Sequence, residues 1–265
     1  MRMTADERRR YAEEGFLLRP SVYSTDELQT LRDAVEEVAA RVAAHARRPG
    51  GGPEIRLADG HRLQFSSRAG IQWEWADGSQ AIRLVEPADH LDARIAALFE
   101  DARMAEPMRD ALGCEDVCAF TCKLNLKRPR EGSEFPFHQD YPYWYVRVGE
   151  QAADVATAFL FLDDADAGNG ALRVLPGSQR GGPAPRDPRD PSRSLADPTK
   201  LDAEREQIVE APAGSLLFFG SLLVHRSSPN RSERERRALL MSFQPAGRVR
   251  WHEAPFTPER IEELP

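Results

Sequence analysis

No apolar run in this 265-residue chain approaches the length that crosses a bilayer. The opening stretch Met1-Arg-Met-Thr-Ala-Asp-Glu-Arg8 has no apolar signal core. These absences predict a soluble, cytoplasmic protein with no membrane partner. Cysteine is scarce: only Cys114, Cys118 and Cys122 occur. An odd count argues against a disulfide framework. The spacing of four lacks the paired Cys-x-x-Cys of metal clusters, and Cys118 to Leu126 reads as a strand, so buried thiols are expected. A basic excess is also missing. The net charge is -7, with no cationic stripe beside interleaved aromatics, which argues against nucleic acid as a partner. There are no internal repeats. The length suits one domain, residues 1–265, possessing a substantial core.

Two helix starts stand out. Thr4 is placed to cap a helix running to Glu14, which Gly15 stops before a strand through Pro20. Ser24, with Glu27 at the capping-box position, opens a longer helix from Thr25 to about Arg47. Its Leu28, Leu31, Val35, Val38 and Val42 fall at helical spacing. Arg48-Pro-Gly-Gly-Gly-Pro53 reads as a mobile loop. Asp92 to Leu112 is helical again, as two helices or as one broken near Pro107. Residues 1–116 are thus expected to be mostly helical.

From Val117 onward, short β-type runs alternate with turn signals: 117–126, 156–162, 171–175, 207–210, 215–219, 222–225 and 238–244. This predicts a mainly β fold with α elements, a sandwich or barrel of antiparallel strands with the helices outside. Residues 181–206, dense in Pro, Arg and Asp, interrupt the strands. They are either a solvated loop or a lid over the barrel mouth.

His138 and Asp140 are separated by one residue, and an extended strand would put both on one face. His225 ends the apolar run Leu216-Leu-Phe-Phe-Gly-Ser-Leu-Leu-Val-His225. Two imidazoles and one carboxylate would leave half an octahedron open, which suits Fe(II) with a co-substrate and oxygen. His45, His61, His90 and His252 read as ordinary structural histidines. Spacing alone leaves a metal site and a metal-free strand both open.

Several segments together resemble the phytanoyl-CoA dioxygenase family of Fe(II)/2-oxoglutarate enzymes, in particular its bacterial branch that includes ectoine hydroxylase. They are Tyr11-Ala-Glu-Glu-Gly-Phe-Leu-Leu18, His138-Gln-Asp140, Gly168-Asn-Gly170, Leu175-Pro-Gly-Ser-Gln-Arg180, and Val224-His-Arg-Ser-Ser-Pro-Asn-Arg-Ser232 with Arg236-Arg-Ala238. Gln179 replaces a usual histidine. Asn169 and Ser178 read as turn residues.

The resemblance implies a double-stranded β-helix, or jelly-roll, core over 117–250 flanked by the N-terminal helices. It implies that His138, Asp140 and His225 bind Fe(II), and that 2-oxoglutarate and O2 are consumed. Arg236 matches the arginine that grips the far carboxylate of 2-oxoglutarate, a task suited to a planar guanidinium. Arg237 competes for that role, but adjacent strand residues face opposite ways. Arg231 and Arg234 fit a solvated turn. Ser227 matches a hydroxyl on the same carboxylate, and Asn125 a position lining the co-substrate site.

The implied reaction hydroxylates, or otherwise oxidises, an unactivated C–H bond and releases succinate and CO2. The retained Asp140 favours oxygen insertion over halogenation, since related halogenases carry a small residue there. Trp144, Phe159 and Tyr143 are candidate substrate contacts, and Gln72, Trp73 and Trp75 candidate entrance residues. Tyr141, Pro142 and Tyr143 depart from the ectoine-hydroxylase pattern, which argues for another small metabolite or natural-product intermediate, amino-acid derivatives included. Two other readings stand: a cupin-like metalloenzyme that does not use 2-oxoglutarate, and a non-catalytic jelly-roll binding protein. The oligomeric state is left open.

Overall fold

A computed structural model describes residues 1–57, 59–74, 79–190, 192, 194–257 and 260. Helix α1 (Ala5–Glu14) opens with a capping box in which Thr4 and Glu7 satisfy each other's backbone N–H. Gly15 ends it in the left-handed region, φ 85°, and returns its N–H to the Tyr11 carbonyl. Strand β1 (Phe16–Arg19) follows, then α2 (Thr25–Ala46), capped by the Ser24–Glu27 box. The α2 face carrying Leu28, Leu31, Val35, Val38 and Val42 is buried, as its spacing predicts.

Residues 54–86 differ from the expected helical character. They form an antiparallel meander of β2 (Glu54–Arg56), β3 (Arg62–Ser66), β4 (Ala69–Trp73) and β5 (Ile82–Glu86). All three residues of β2 are exposed, and polar Gln64, Ser66 and Gln72 break the apolar pattern that would mark strands in sequence. After β5 come α3 (Ala93–Ala96) and α4 (Ala102–Leu112). The helical break falls at Asp101, not at Pro107. The Asp101 carboxylate caps α4 by accepting from the Arg103 N–H, while Pro107 lies buried inside the helix.

The remaining elements are β6 (Val117–Lys127), β7 (Phe135–His138), α5 (Tyr141–Val148), β8 (Ala156–Phe161), β9 (Leu172–Val174), β10 (Gln207–Val209), β11 (Leu216–Gly220), β12 (His225–Ser227) and β13 (Arg236–Pro245). They form two antiparallel sheets. The larger has strand order β1-β11-β8-β13-β6-β5-β4-β3-β2, and the smaller β10-β9-β12-β7.

The central strands of the larger sheet alternate between two cores, with a register shift at Ser242/Phe243. Leu216, Phe218, Leu239, Met241, Phe243, Cys122, Leu124 and Leu126 point outward into a core shared with α2 and α4. Phe159, Phe161, Leu217, Phe219, Ala238 and Leu240 point inward, against Leu172, Val174 and Val209 of the smaller sheet.

Two local expectations shift. The strand expected at 222–225 begins at His225, because Leu223 closes a turn onto the Gly220 carbonyl. Residues 181–206 are not simply solvated: Leu195 bridges His138, Ala196 donates to the Phe137 carbonyl (2.8 Å), and Ala196 and Asp197 are buried. This segment covers the open edge of β7.

Phe218 is fully buried on the outer face of β11. Phe218→Ala should lower the unfolding free energy by about 3–5 kcal/mol, measured as a fall in the denaturant midpoint with the slope unchanged.

Candidate metal centre

His138 ends β7 and His225 begins β12, and the two residues are direct partners in the sheet. Their ring centres lie 4.2 Å apart. The ligand atoms of His138, Asp140 and His225 all fall within 4.8 Å of one another. Each histidine spends its Nδ1 on the carbonyl two residues earlier: His138 on Pro136 (2.7 Å) and His225 on Leu223 (2.9 Å). Read with Nδ1–H as donor, both rings turn Nε2, with its lone pair, toward the centre.

Asp140 arrives by a different route from the expected strand. Its backbone is helical (φ -70°, ψ -25°), and it stands at the N-cap of α5 without capping it. Pro142 occupies the second helical position and has no N–H to give. The Asp140 carboxylate instead accepts from the Lys123 ammonium (2.9 Å). Gln139, between the two ligands, points the other way. Its amide donates to the carbonyls of Gly182 and Leu222 and accepts from the Ala184 N–H, fastening the 181–206 segment to the site.

Electrostatics fit ligation. Burial, aided by neighbouring His225, pushes His138 down to about 3. Burial also lowers His225, so both imidazoles are neutral donors near pH 7. Burial opposes ionisation of Asp140, but the Lys123 ammonium outweighs it and holds the carboxyl below its usual range. Two neutral imidazoles and one carboxylate therefore fit a divalent ion of the Fe(II) type.

Of the candidate co-substrate residues, Arg236 and Asn125 lie on the inner face of the larger sheet and Ser227 lies on the smaller one. Arg236 is 1% exposed and pairs across the sheet with Lys127. Its Nη2 donates to the Gly170 carbonyl (3.0 Å), while Nε and Nη1 are buried with no partner among the described residues. A buried guanidinium with unspent donors fits a carboxylate. Arg237 faces outward and pairs with Asp163 and Glu36. Asn125 lies opposite Ala238, with its Oδ1 also unpartnered among the described residues. Ser227 is buried on the same side of β12 as His225.

The substrate candidates separate. Trp144 is almost fully buried, edge-on to Phe120 at 5.2 Å, with Lys123 Nζ 5.0 Å from its ring centre. It braces Lys123. Phe159 is inside the barrel, with the Arg236 guanidinium 5.9 Å from its ring centre. Tyr143 is 43% exposed, stands edge-on to His138 at 6.2 Å between ring centres, and hydrogen-bonds Ser194. Gln72 is half-buried on β4. Trp73 is not at an entrance: it is fully buried in the outer core and donates to Gln64 Oε1. Trp75 lies outside the described residues.

Sequence reasoning missed Lys123, Lys127 and Gln139. The β6 alternation Lys123-x-Asn125-x-Lys127 between buried Cys122, Leu124 and Leu126 is the signal that marks the two lysines. Burial, together with Arg236, pushes Lys127 down to about 6, and its Nζ donates to the Ser133 and Ser228 carbonyls. His61 is a hydrogen-bonded structural histidine, with Nδ1 2.9 Å from the Asp59 carboxylate and Nε2 2.8 Å from Ser133 Oγ.

The fold and this site define a jelly-roll metalloenzyme with a two-histidine, one-carboxylate centre. The chain belongs to the phytanoyl-CoA dioxygenase (PhyH) family, whose profile matches residues 11–238. It is 26% identical over 257 residues to the L-proline trans-4-hydroxylase of Streptomyces griseoviridis, covering 90% of this chain and 85% of that one. It is 28% identical over 255 residues to the ectoine dioxygenase of Bordetella parapertussis, covering 91% and 75%. Among solved structures, EctD from S. alaskensis with 2-oxoglutarate and 5-hydroxyectoine matches with a TM-score of 0.71 at 22% identity, covering 97% of this chain and 85% of that one. EvdO2 from Micromonospora carbonacea var. aurantiaca, complexed with 2-oxoglutarate, matches at 0.65 and 20%, covering 93% and 92%. The chain is thus a dioxygenase by family and a jelly roll by fold. No helix among the described residues is long and apolar enough to cross a membrane.

A pH dependence follows for the metal-free protein. The folded state keeps His138 neutral down to about 3, whereas an unfolded imidazole takes up a proton near 6.5. The unfolded state then binds more protons, so stability falls as pH drops through that window. The urea midpoint in chelator should decrease from about pH 7 to about pH 5. His138→Gln should flatten that slope, and an unchanged slope would contradict a buried neutral His138.

Proposed function

We propose that this protein is an Fe(II)- and 2-oxoglutarate-dependent dioxygenase that hydroxylates an unactivated C–H bond of a small molecule. The observation that carries the reading is the pairing of a buried His138–Asp140–His225 set with a buried arginine that holds two unspent donors. His138, Asp140 and His225 hold the iron. The iron with its co-substrate supplies oxygen activation coupled to decarboxylation: one oxygen atom of O2 enters succinate, the other enters the substrate, and CO2 leaves.

The chain's own residues do the positioning. Arg236 takes the far carboxylate of 2-oxoglutarate through the unspent donors on one edge of its guanidinium, and Ser227 and Asn125 line the same end. The Phe159 and Phe219 rings keep water from the space between the sheets. Lys123 fixes the free rotation of Asp140, so the carboxylate meets the metal in one orientation. Tyr143, Phe159 and Trp144 form the substrate side, with Tyr143 nearest the opening. Residues 181–206, fastened through Gln139 and Ser194, act as the lid, and residues 1–265 work as one oxygenase domain around the 117–250 core.

The substrate is a small metabolite or natural-product intermediate. Similar proteins named for L-proline and ectoine support that size class. Retention of Asp140 supports hydroxylation rather than halogenation.

Succinate release under air with Fe(II), against an anaerobic control, tests the reaction. Arg236→Ala should raise the 2-oxoglutarate concentration for half-maximal turnover by about 30-fold or more, since one partner of a buried charged contact is lost. Arg237→Ala should leave that value near wild type and lower stability instead. Turnover independent of 2-oxoglutarate would overturn the reading. Asp140→Ala should abolish both hydroxylation and tight Fe(II) binding, and full activity in that variant would contradict the ligand assignment.

A further inference from the structure

Glu86 is a carboxyl group that the proposed reaction leaves unused. Leu84 lies opposite Asn125, on the inner face of β6, and Val85 opposite Leu124, on the outer face. The two-residue strand period places Glu86 on the inner side with Leu84. There the Thr121 hydroxyl donates to its Oε1 (2.8 Å). No other hydrogen bond and no ion pair reaches the Glu86 carboxyl group among the described residues.

The cations that share its field are committed elsewhere. Lys123 Nζ donates to Asp140. Arg147 donates to the Ala254 carbonyl and stacks 4.8 Å from the Trp251 ring centre. Burial raises the Glu86 pKa against the pull of Lys123, which marks a carboxyl group short of counter-charge. An acid held in such a wall costs free energy unless a cation meets it. Thr121 and one carboxyl group do not make a metal site, because too few donors converge. A substrate nitrogen supplies what is missing: positive charge and N–H donors for the free oxygen.

We propose that Glu86 recognises a protonated amine on the substrate, so that the enzyme acts on amino acids or other small ammonium compounds rather than on neutral or purely anionic ones. This inference rests on the reaction proposed above and narrows its substrate class.

The test is equilibrium binding under anaerobic conditions to protein loaded with Fe(II) and 2-oxoglutarate. The probes are the proteinogenic L-amino acids and their N-acetyl counterparts, which lack the ammonium. At least one free amine should bind while its N-acetyl form does not. Glu86→Gln should weaken that binding by about 30-fold or more, and Glu86→Asp should recover part of the loss. Fe(II) binding by each variant checks that the site is folded.

Equal binding of amine and N-acetyl forms, an affinity in Glu86→Gln within about 3-fold of wild type, or no binding of any amine would overturn the inference. Fe(II)-dependent 2-oxoglutarate binding is measured before any amine is added. Its absence would sink the cofactor reading, and this inference with it, whereas its presence beside an amine failure sinks this inference alone.

Discussion

The site depends on one backbone register. Strands β7 and β12 pair so that His138 lies directly opposite His225. A slip of one residue would turn one ring to the other face of the sheet and dissolve the centre. The register is held on both sides. Strand β9 pairs with the far edge of β12, and Leu195 and Ala196 close the free edge of β7. Each histidine then fixes its own ring through the carbonyl two residues earlier, so the same extended backbone that sets the register also sets the tautomer. Asp140 needs neither strand. It is delivered by the turn into α5 and steadied by a lysine from the opposite sheet.

That lysine belongs to a lane of polar residues running inside the barrel. Along β6, Thr121, Lys123, Asn125 and Lys127 face inward while Cys122, Leu124 and Leu126 face the outer core. Across the sheet, Arg236 continues the lane on β13. Buried cations of this kind oppose folding unless something pairs with them. The apolar half of each strand offsets the cost by packing under α2 and α4. Such conflict between local polarity and burial is expected at functional positions, where a bound group completes the set.

Alternation was the part of this structure most legible in the sequence. It identified most of the core strands, and it predicted that Arg236 and Arg237 must part company, as the Arg237–Asp163 pair on the outside makes visible. Capping boxes at Thr4 and Ser24 were equally plain because they are local chemistry. The same alternation gave Asp140 a strand geometry it does not have: Pro142, two residues on, starts a helix that no periodic signal announced. The 54–86 meander was hidden for another reason. Its strands are partly exposed and carry polar residues on both faces, so their identity comes from neighbours far away in sequence. Trp73 shows the same limit, since an aromatic read as an entrance residue is in fact buried in the outer core.

The polar lane also has a direction. At one end, Lys127 faces Arg236, and burial with mutual repulsion lowers the pKa of Lys127. At the other, Lys123 lies among Asp140 and Glu86, whose charges raise its own. The two lysines are four residues apart on one strand, about 13 Å. Among the described residues, one end of the barrel therefore holds the Arg236 guanidinium with unspent donors, and the other holds two carboxyl groups, Asp140 and Glu86, beside one ammonium, Lys123. In the proposed reaction a dianionic co-substrate would answer the first, and a divalent metal the acid at Asp140. What remains at the acidic end is the Glu86 carboxyl group, the group that the proposed substrate ammonium would meet.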